Sequence, residues 1–365
     1  MPSDLPNATS FADALLAWAA AHPREMPWKN EKNPYLIWLS EIILQQTRVE
    51  QGLPYFLRFR EKYPTIVLLA AAPPDEVMKL WEGLGYYSRA RNLHATAQYV
   101  SEYLGGIFPT DFEQIRALKG VGDYTAAAVA SFAFDLPHAV VDGNVYRVLA
   151  RIFGIETPID SSAGKKQFAD LAQQLLDKAP PARYNQAIMD FGATHCTPAA
   201  PRCAGCPFAE QCRAFLEKKI AQLPVKSKKL VRRERFFNFF LIYKENKIWI
   251  QRREQKDIWQ GLYQFPLIET ENLVSRLEMV KNKIFNTFFD KKKYIILRHS
   301  APMRHQLTHQ TIIAVFWEIE ATDALALPES FVCVARKNLS DFAFPRLIDQ
   351  YLEQKEQKTL LLDLD

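Results

Sequence analysis

The segment Leu118-Lys119-Gly120-Val121-Gly122-Asp123-Tyr124-Thr125 runs directly into the small-residue stretch Ala126–Ala130. Two glycines separated by one residue let a backbone turn tightly and come close to another molecule. A helix starting just after them would point its free amides outward, a geometry suited to a phosphate. A tight helix–helix connection would need the same glycines, and on the segment alone that reading stays ahead; the residues downstream change the balance.

Upstream of it the chain reads as helical. Ser10 with Asp13 three residues later resembles a capping box, followed by Phe11, Leu15, Leu16 and Trp18 at helical spacing. Pro34 opens a second helix through Ile37, Trp38, Glu41, Ile42 and Gln45. Further helices are expected at about 54–62, 74–82, 88–104, 122–134, 143–153, 163–178 and 183–194, separated by Pro and Gly breaks.

Downstream, Val140-Val141-Asp142-Gly143-Asn144-Val145-Tyr146-Arg147 places an aspartate at the opening of a helix, by default an N-cap. Four cysteines follow at the spacing Cys196-x6-Cys203-x2-Cys206-x5-Cys212. Soft sulfur ligands in one short loop suit zinc or an iron–sulfur cluster. A zinc ribbon usually has two separated CxxC pairs, whereas here a single CxxC is flanked by two lone cysteines, which favours iron–sulfur. The N-terminus carries Asp4 and Asp13 with no early Lys or Arg, so no secretory signal is expected and the cysteines read as ligands rather than disulfides. No run of about 18 apolar residues calls for a membrane span. Cys333, within Val332-Cys333-Val334, is expected to be a buried strand residue.

The length of 365 residues and 48% hydrophobic content allow two cores. The net charge of +5 is unevenly spread: the first 217 residues are slightly acidic, and basic residues crowd into Lys218–Arg235. Such a run is either a solvated linker or a phosphate contact. After it the texture changes. Phe236–Tyr243, Lys247–Arg252, Lys293–Leu297 and Thr311–Glu318 are strand candidates, with helices near Glu271–Phe285 and Pro345–Lys355. The expected organisation is an all-α domain at 1–217, a basic linker at 218–235 and an α+β domain at 236–365.

Taken together, Leu39-Ser40-Glu41-Ile42-Ile43-Leu44-Gln45-Gln46-Thr47, Gly83-Leu84-Gly85-Tyr86-Tyr87, the Gly120–Thr125 hairpin, Val141-Asp142-Gly143-Asn144 and the four cysteines resemble the helix-hairpin-helix DNA glycosylase superfamily. The match covers roughly residues 10–215. Relatives that also cut the strand carry a lysine at the position of Tyr124, which forms a Schiff base with the sugar. Tyrosine cannot, so the resemblance implies a monofunctional glycosylase. Glu41 in its segment marks the adenine-removing, MutY-type branch. That branch implies a 4Fe–4S cluster on Cys196, Cys203, Cys206 and Cys212. Its substrate would be duplex DNA with adenine opposite 8-oxoguanine or guanine. The resemblance further implies a monomer with no membrane partner, cytoplasmic and associated with a bacterial nucleoid.

Breaking an N-glycosidic bond requires an acid for the departing base and an anion for the oxocarbenium-like sugar. Two carboxylates in different environments can divide that work. Glu41, on an apolar helix face beside Ile37 and Leu44, is expected to have a raised pKa and to protonate adenine N7. Asp142 is expected to stay ionised and to stabilise, or briefly bond, the anomeric carbon. Carboxyls about 5–5.5 Å apart would suit retention there. On the family pattern Tyr124 and Asn144 position Asp142 and the intermediate, and Gln46 and Tyr86 wedge the duplex. Arg24, Trp28, Leu44 and Gln186 match the adenine-pocket positions, although Trp28 and Leu44 serve equally as core. The family usually reads Pro-Trp-Arg where this chain has Pro27-Trp28-Lys29.

Residues 236–353 resemble the NUDIX-type domain appended to such enzymes, anchored by Trp259-Gln260-Gly261-Leu262-Tyr263-Gln264-Phe265-Pro266. The hydrolase signature is missing from Glu271–Phe285, so this domain is expected to bind rather than catalyse. Arg304-His305-Gln306-Leu307-Thr308-His309 resembles the loop that reads 8-oxoguanine, with Leu307 where an aromatic is usual and a hydroxyl at Thr308 for the damaged base edge. Two other functions fit part of the pattern. Tyr124 opposes an endonuclease III-like lyase acting on oxidised pyrimidines. Glu41 with Asp142 opposes a non-catalytic iron–sulfur DNA-binding protein.

Overall fold

The computed structural model describes residues 8–176, 179–227, 232–289, 294–322 and 327–362. The chain forms two compact units, Met1–Ala71 with Asn92–Lys229, and Ala72–Arg91 with Leu230–Asp365. No helix among the described residues is long and apolar enough to cross a membrane.

In chain order the first helices are α1 (Ala8–Ala21), α2 (Pro34–Leu44), α3 (Val49–Lys62), α4 (Ile66–Ala71), α5 (Pro74–Leu80) and α6 (Ser88–Tyr103). There follow α7 (Phe112–Arg116), α8 (Asp123–Phe134), α9 (Gly143–Phe153), α10 (Ser162–Leu176), α11 (Pro181–Thr194) and α12 (Arg213–Leu216). Of these, α5 and the first turn of α6 belong to the second unit.

The start of α2 is fixed by Asn33, whose side chain accepts from the Tyr35 amide, and by Pro34, whose ring presets the first helical φ. Its residues Tyr35 and Ile37–Ile43 are all buried, as befits a helix apolar on every side. It packs against α8, where Ala126, Ala127, Ala128 and Ala130 let the two backbones draw close. Next to them α9 packs on α11. Gly192 of α11 makes that approach possible, because a Cβ there would lie 2.7 Å from the Asn144 Cβ.

Several local expectations change. Ser10 lies inside α1, which already includes Ala8, so it does not cap that helix. Helix α3 begins at Val49 rather than at Pro54, which sits within it. The short helices α4, α7 and α12 were not foreseen; each is six residues or fewer, too short for a periodic signal.

The second unit contains an eight-stranded mixed sheet: β1 (Arg233–Lys244), β2 (Lys247–Arg252), β3 (Tyr263–Gln264), β4 (Leu267–Thr270), β5 (Tyr294–His299), β6 (Met303–Gln306), β7 (Gln310–Ala321) and β8 (Phe331–Ala335). Strands β1 and β7 run parallel in register from Arg233↔Gln310 to Tyr243↔Glu320. The expected helix at 271–285 divides into α13 (Arg276–Lys281) and α14 (Lys283–Phe288), because Asn282 turns extended and caps the second. The last helix is α15 (Arg346–Leu362). Phe240, Ile242, Phe285, Trp317 and Ile319 form the core between sheet and helices. Cys333 does lie on a strand, β8, but is exposed rather than buried, since β8 pairs with β2 alone among the described strands. Lys293, the expected start of a strand, lies outside the described residues, and β5 begins one residue later.

Residues 72–91 are tied into this unit by directional bonds. Tyr263 Oη donates to Asp75 at 2.9 Å, Arg252 pairs with Asp75 at 3.1 Å, and Lys79 donates to the Phe342 carbonyl at 3.1 Å. The Phe344 amide donates to Glu82 at 2.8 Å, and Arg91 to the Gln260 carbonyl at 2.6 Å. The basic run is bonded on both sides. Lys219 pairs with Glu156 and Glu217, and Ser227 donates twice to Asp160 within the first unit, while Arg233–Arg235 open β1. Lys228 and Lys229 lie outside the described residues.

Candidate active site

A cavity of about 780 Å³ opens in the helical unit between α2, α8, α9 and α11. Eight of the residues singled out from the sequence line it: Glu41, Tyr124, Asp142, Asn144, Arg24, Trp28, Leu44 and Gln186. Gln46, Gly120 and Gly122 belong to the same unit but not to its lining, whereas Tyr86, Leu307, Thr308 and His309 belong to the second unit.

Glu41 sits on the buried α2 with 7% of its surface exposed. Burial pushes its carboxyl up to about 7, the hydrogen bond from Tyr124 pulls it down, and the nearby Asp142 charge raises it. Tyr124, in the first turn of α8, is itself held well above the usual phenol range by burial and by both carboxylates. It therefore stays protonated and donates to Glu41.

Asp142 is the N-cap of α9. Its Oδ1 accepts the Asn144 amide at 2.9 Å and the Val145 amide at 2.8 Å, and its Oδ2 accepts Asn144 Nδ2 at 2.7 Å. Burial raises its carboxyl, while these donors and the Arg147 charge draw it back. One carboxyl readily holds a proton near neutrality, and the other sits among donors that favour its anion.

Behind Asp142, α9 supplies an arginine ladder that the sequence reading did not single out. Arg147 donates to Asn144 Oδ1 at 2.9 Å, to the Gly192 carbonyl at 2.7 Å and to the Cys196 carbonyl at 2.8 Å. One turn on, Arg151 donates to Thr197 O at 2.7 Å and Pro198 O at 2.9 Å and lies 3.5 Å from Cys196 Sγ. The available signal was their spacing: Asn144, Arg147 and Arg151 fall at i, i+3 and i+7, one face of a helix whose other residues are largely apolar.

The four cysteines converge on this end of α9. Burial pushes the Cys206 thiol up to about 11, with Cys196, Cys212 and Cys203 each close enough to add to the rise. Backbone amides are directed at Cys206 and Cys212. Among the described residues no three His, Cys, Asp or Glu side chains gather tightly enough for a single ion. A polynuclear centre is less demanding, because each thiolate binds a different iron and the sulfurs stand further apart.

At the opposite wall Asp190, also unforeseen, pairs with Arg24 at 3.2 Å and with Lys29 at 3.1 Å. Lys29 additionally donates to the Arg24 carbonyl at 2.9 Å. The lysine that departs from the family pattern therefore acts as a point charge bracing Arg24. Trp28 stands edge-on to Phe56, and Gln186 projects from α11.

Of the backbone contributors, Gly120 adopts φ +80°, and a Cβ there would lie 2.8 Å from the Asn92 Cβ. Gly122 caps α8 and faces open space. Gln46 is exposed at φ +54°. In the second unit Leu307–His309 form the turn between β6 and β7, closed by Leu307 N to Gln310 O at 2.8 Å. Thr308 Oγ1 meets the Tyr86 hydroxyl at 2.5 Å, and His309 is exposed.

Residues 39–175 match the HhH-GPD superfamily base excision DNA repair proteins, and residues 238–354 match the NUDIX domain. The chain is 34% identical over 310 residues to the adenine DNA glycosylase of Buchnera aphidicola subsp. Baizongia pistaciae, covering 83% of this chain and 84% of that one. It is 44% identical over 230 residues to the adenine DNA glycosylase of Mus musculus, covering 60% of this chain and 45% of that one. Among solved structures it is similar to a thermostable thymine-DNA glycosylase, with TM-score 0.54 and 30% identity over 58% of this chain and 97% of that one. An endonuclease III–DNA complex, at TM-score 0.50 and 24% identity over 59% of this chain and 99% of that one, shares the fold.

Proposed function

The chain belongs to the adenine DNA glycosylases of the HhH-GPD base excision repair superfamily, and from that premise we propose that it removes adenine opposite 8-oxoguanine without cutting the strand. The observation that carries this is the shared cavity of Glu41, Tyr124 and Asp142, with the first carboxyl held near neutrality by burial. Protonated Glu41 gives its proton to adenine N7 as the C1′–N9 bond breaks. Asp142, held by two amides and Asn144, stabilises or briefly bonds the cationic anomeric carbon until water adds there. The products are free adenine and an abasic site. Tyr124 offers no amine for a Schiff base, which supports hydrolysis alone.

Adenine must first leave the stack. Arg24, Trp28, Leu44 and Gln186 line the cavity that would receive it, with Arg24 braced by Asp190 and Lys29. Gly120 and Gly122 would present amides to a phosphate, Gln46 and Tyr86 would enter the duplex, and Leu307, Thr308 and His309 would face the 8-oxoguanine. Cys196, Cys203, Cys206 and Cys212 would hold a 4Fe–4S cluster, which supplies covalent cross-links to the loop. Arg147 links that loop to Asn144, and Asn144 to Asp142, through hydrogen bonds, while Arg151 ties the loop to α9. We further place the enzyme as a monomer acting in the cytoplasm on nucleoid DNA.

Gel assays on duplexes with adenine opposite 8-oxoguanine and on pyrimidine-lesion duplexes test the reading. Strand breaks should appear only on the former and only after alkali. Nicking of pyrimidine-lesion DNA without alkali would identify a lyase instead, and no cutting at all would identify a binding protein.

A further inference from the structure

The turn that carries Tyr86 is bent against its own preferences. Gly83, Gly85 and Tyr86 adopt φ +87°, +80° and +48°. Glycine takes such values freely, but a tyrosine does so only where its surroundings hold it. The Gly85 carbonyl accepts two ring or guanidine N–H groups, Trp81 Nε1 at 3.1 Å and Arg89 Nη2 at 3.1 Å. The Arg89 amide donates to the Tyr86 carbonyl at 2.9 Å. The guanidinium carbon lies 5.1 Å from the Trp81 ring centroid and 5.6 Å from that of Tyr86. Arg89 is 8% exposed, whereas Tyr86 is 46% exposed.

This is a poor place for a cation on grounds of stability. Helix α6 starts at Ser88, so Arg89 occupies a first turn, where the helix dipole disfavours positive charge. Burial opposes it as well, drawing its pKa down to about 10. An apolar or acidic residue would suit that position better. What only a planar cation achieves is to donate to Gly85 while lying against two rings at once.

We propose that Arg89 is a positioning residue that holds Tyr86 ready to enter the duplex beside the damaged base. The proposal rests on the reading of Tyr86 as a DNA-inserting side chain. It is tested with the full-length protein and a duplex carrying adenine opposite 8-oxoguanine, with 2-aminopurine next to the 8-oxoguanine to report unstacking. Tyr86→Ala should abolish the fluorescence rise seen with the unaltered protein. Arg89→Met should abolish it too and weaken duplex binding about tenfold, while the single-turnover rate at saturating enzyme changes less than about twofold. Added to Tyr86→Ala, Arg89→Met should have almost no further effect on binding. Arg89→Lys, which keeps the charge but loses the planar fork, should fall between; it replaces Arg89→Met if that variant does not melt cooperatively. An unstacking signal retained without the guanidinium, or an equal loss of affinity in both Tyr86 backgrounds, would overturn the positioning role. A signal retained by Tyr86→Ala would instead overturn the wedge reading, and the role of Arg89 with it.

Discussion

Glu41 and Thr308 stand at opposite ends of a scale. Glu41 is a carboxyl enclosed by α2 and α8 whose ionisation the fold resists. Thr308 is a half-exposed hydroxyl on a hairpin turn, bonded to a tyrosine that is itself exposed. On the proposed reading Glu41 delivers a proton near neutrality, which requires that it be kept from water, and the fold bears the energetic consequence. On the same reading Thr308 samples passing bases, which requires that it remain at the surface, where exchanging one partner for another costs little.

The contrast is broken most severely at Glu41. Glu41→Gln should lower single-turnover excision by roughly 10²–10⁴-fold with duplex binding intact; a near-normal rate would remove Glu41 as the acid. The same variant tests the energetic side. The folded carboxyl titrates at about 7 against an ordinary 4.5, so its protonated form stabilises the protein below the unfolded value. That stability is lost as the pH rises from 4.5 through 7. Between pH 4 and pH 8 the unaltered protein should therefore lose up to about 3 kcal/mol that Glu41→Gln does not lose. Urea unfolding at the two pH values checks this, and equal losses in both proteins would contradict it.

Tyr124→Phe gives a smaller change of defined sign. Removing a donor to the Glu41 carboxylate disfavours the charged form, so the alkaline limb of the excision rate should move up by about one pH unit. A limb that stays in place would mean that the phenol does not tune the acid. At the other end of the comparison, replacing Thr308 and His309 by alanine should reduce the preference for 8-oxoguanine over guanine about tenfold while unfolding free energy shifts by less than about 0.5 kcal/mol. A large loss of stability would show that the turn is a structural element after all.

The candidate site was legible where it depends on local sequence. Asp142 announces itself as a cap because its neighbours are Gly143 and Asn144, and the cysteine spacing is confined to one loop. The bracing of that site was not legible, because it depends on elements distant in sequence. Arg147 reaches Gly192 and Cys196, and Asp190 joins Arg24 to Lys29 across more than 160 residues. Gly192 resembles any helical glycine until α9 is seen pressed against it. In the second half, β3, β4 and β6 span only two to four residues, too few to show alternation. Cys333 was misplaced for a related reason: two flanking valines indicate a strand but not which strand lies at the edge of a sheet.

Residues 72–91 have a genetic consequence. Asp75, Lys79 and Glu82 find partners in Tyr263, Phe342 and Phe344, and the hydroxyl of Tyr86 finds Thr308. A premature stop codon anywhere before β1 would deprive an internal stretch, encoded far upstream, of those partners. On the proposed reading of Tyr86 and Thr308, weaker lesion discrimination and a slack hold on the duplex would then arise together from one truncating allele, and a cut made between residue 217 and β1 would strip residues 72–91 of all four of those partners.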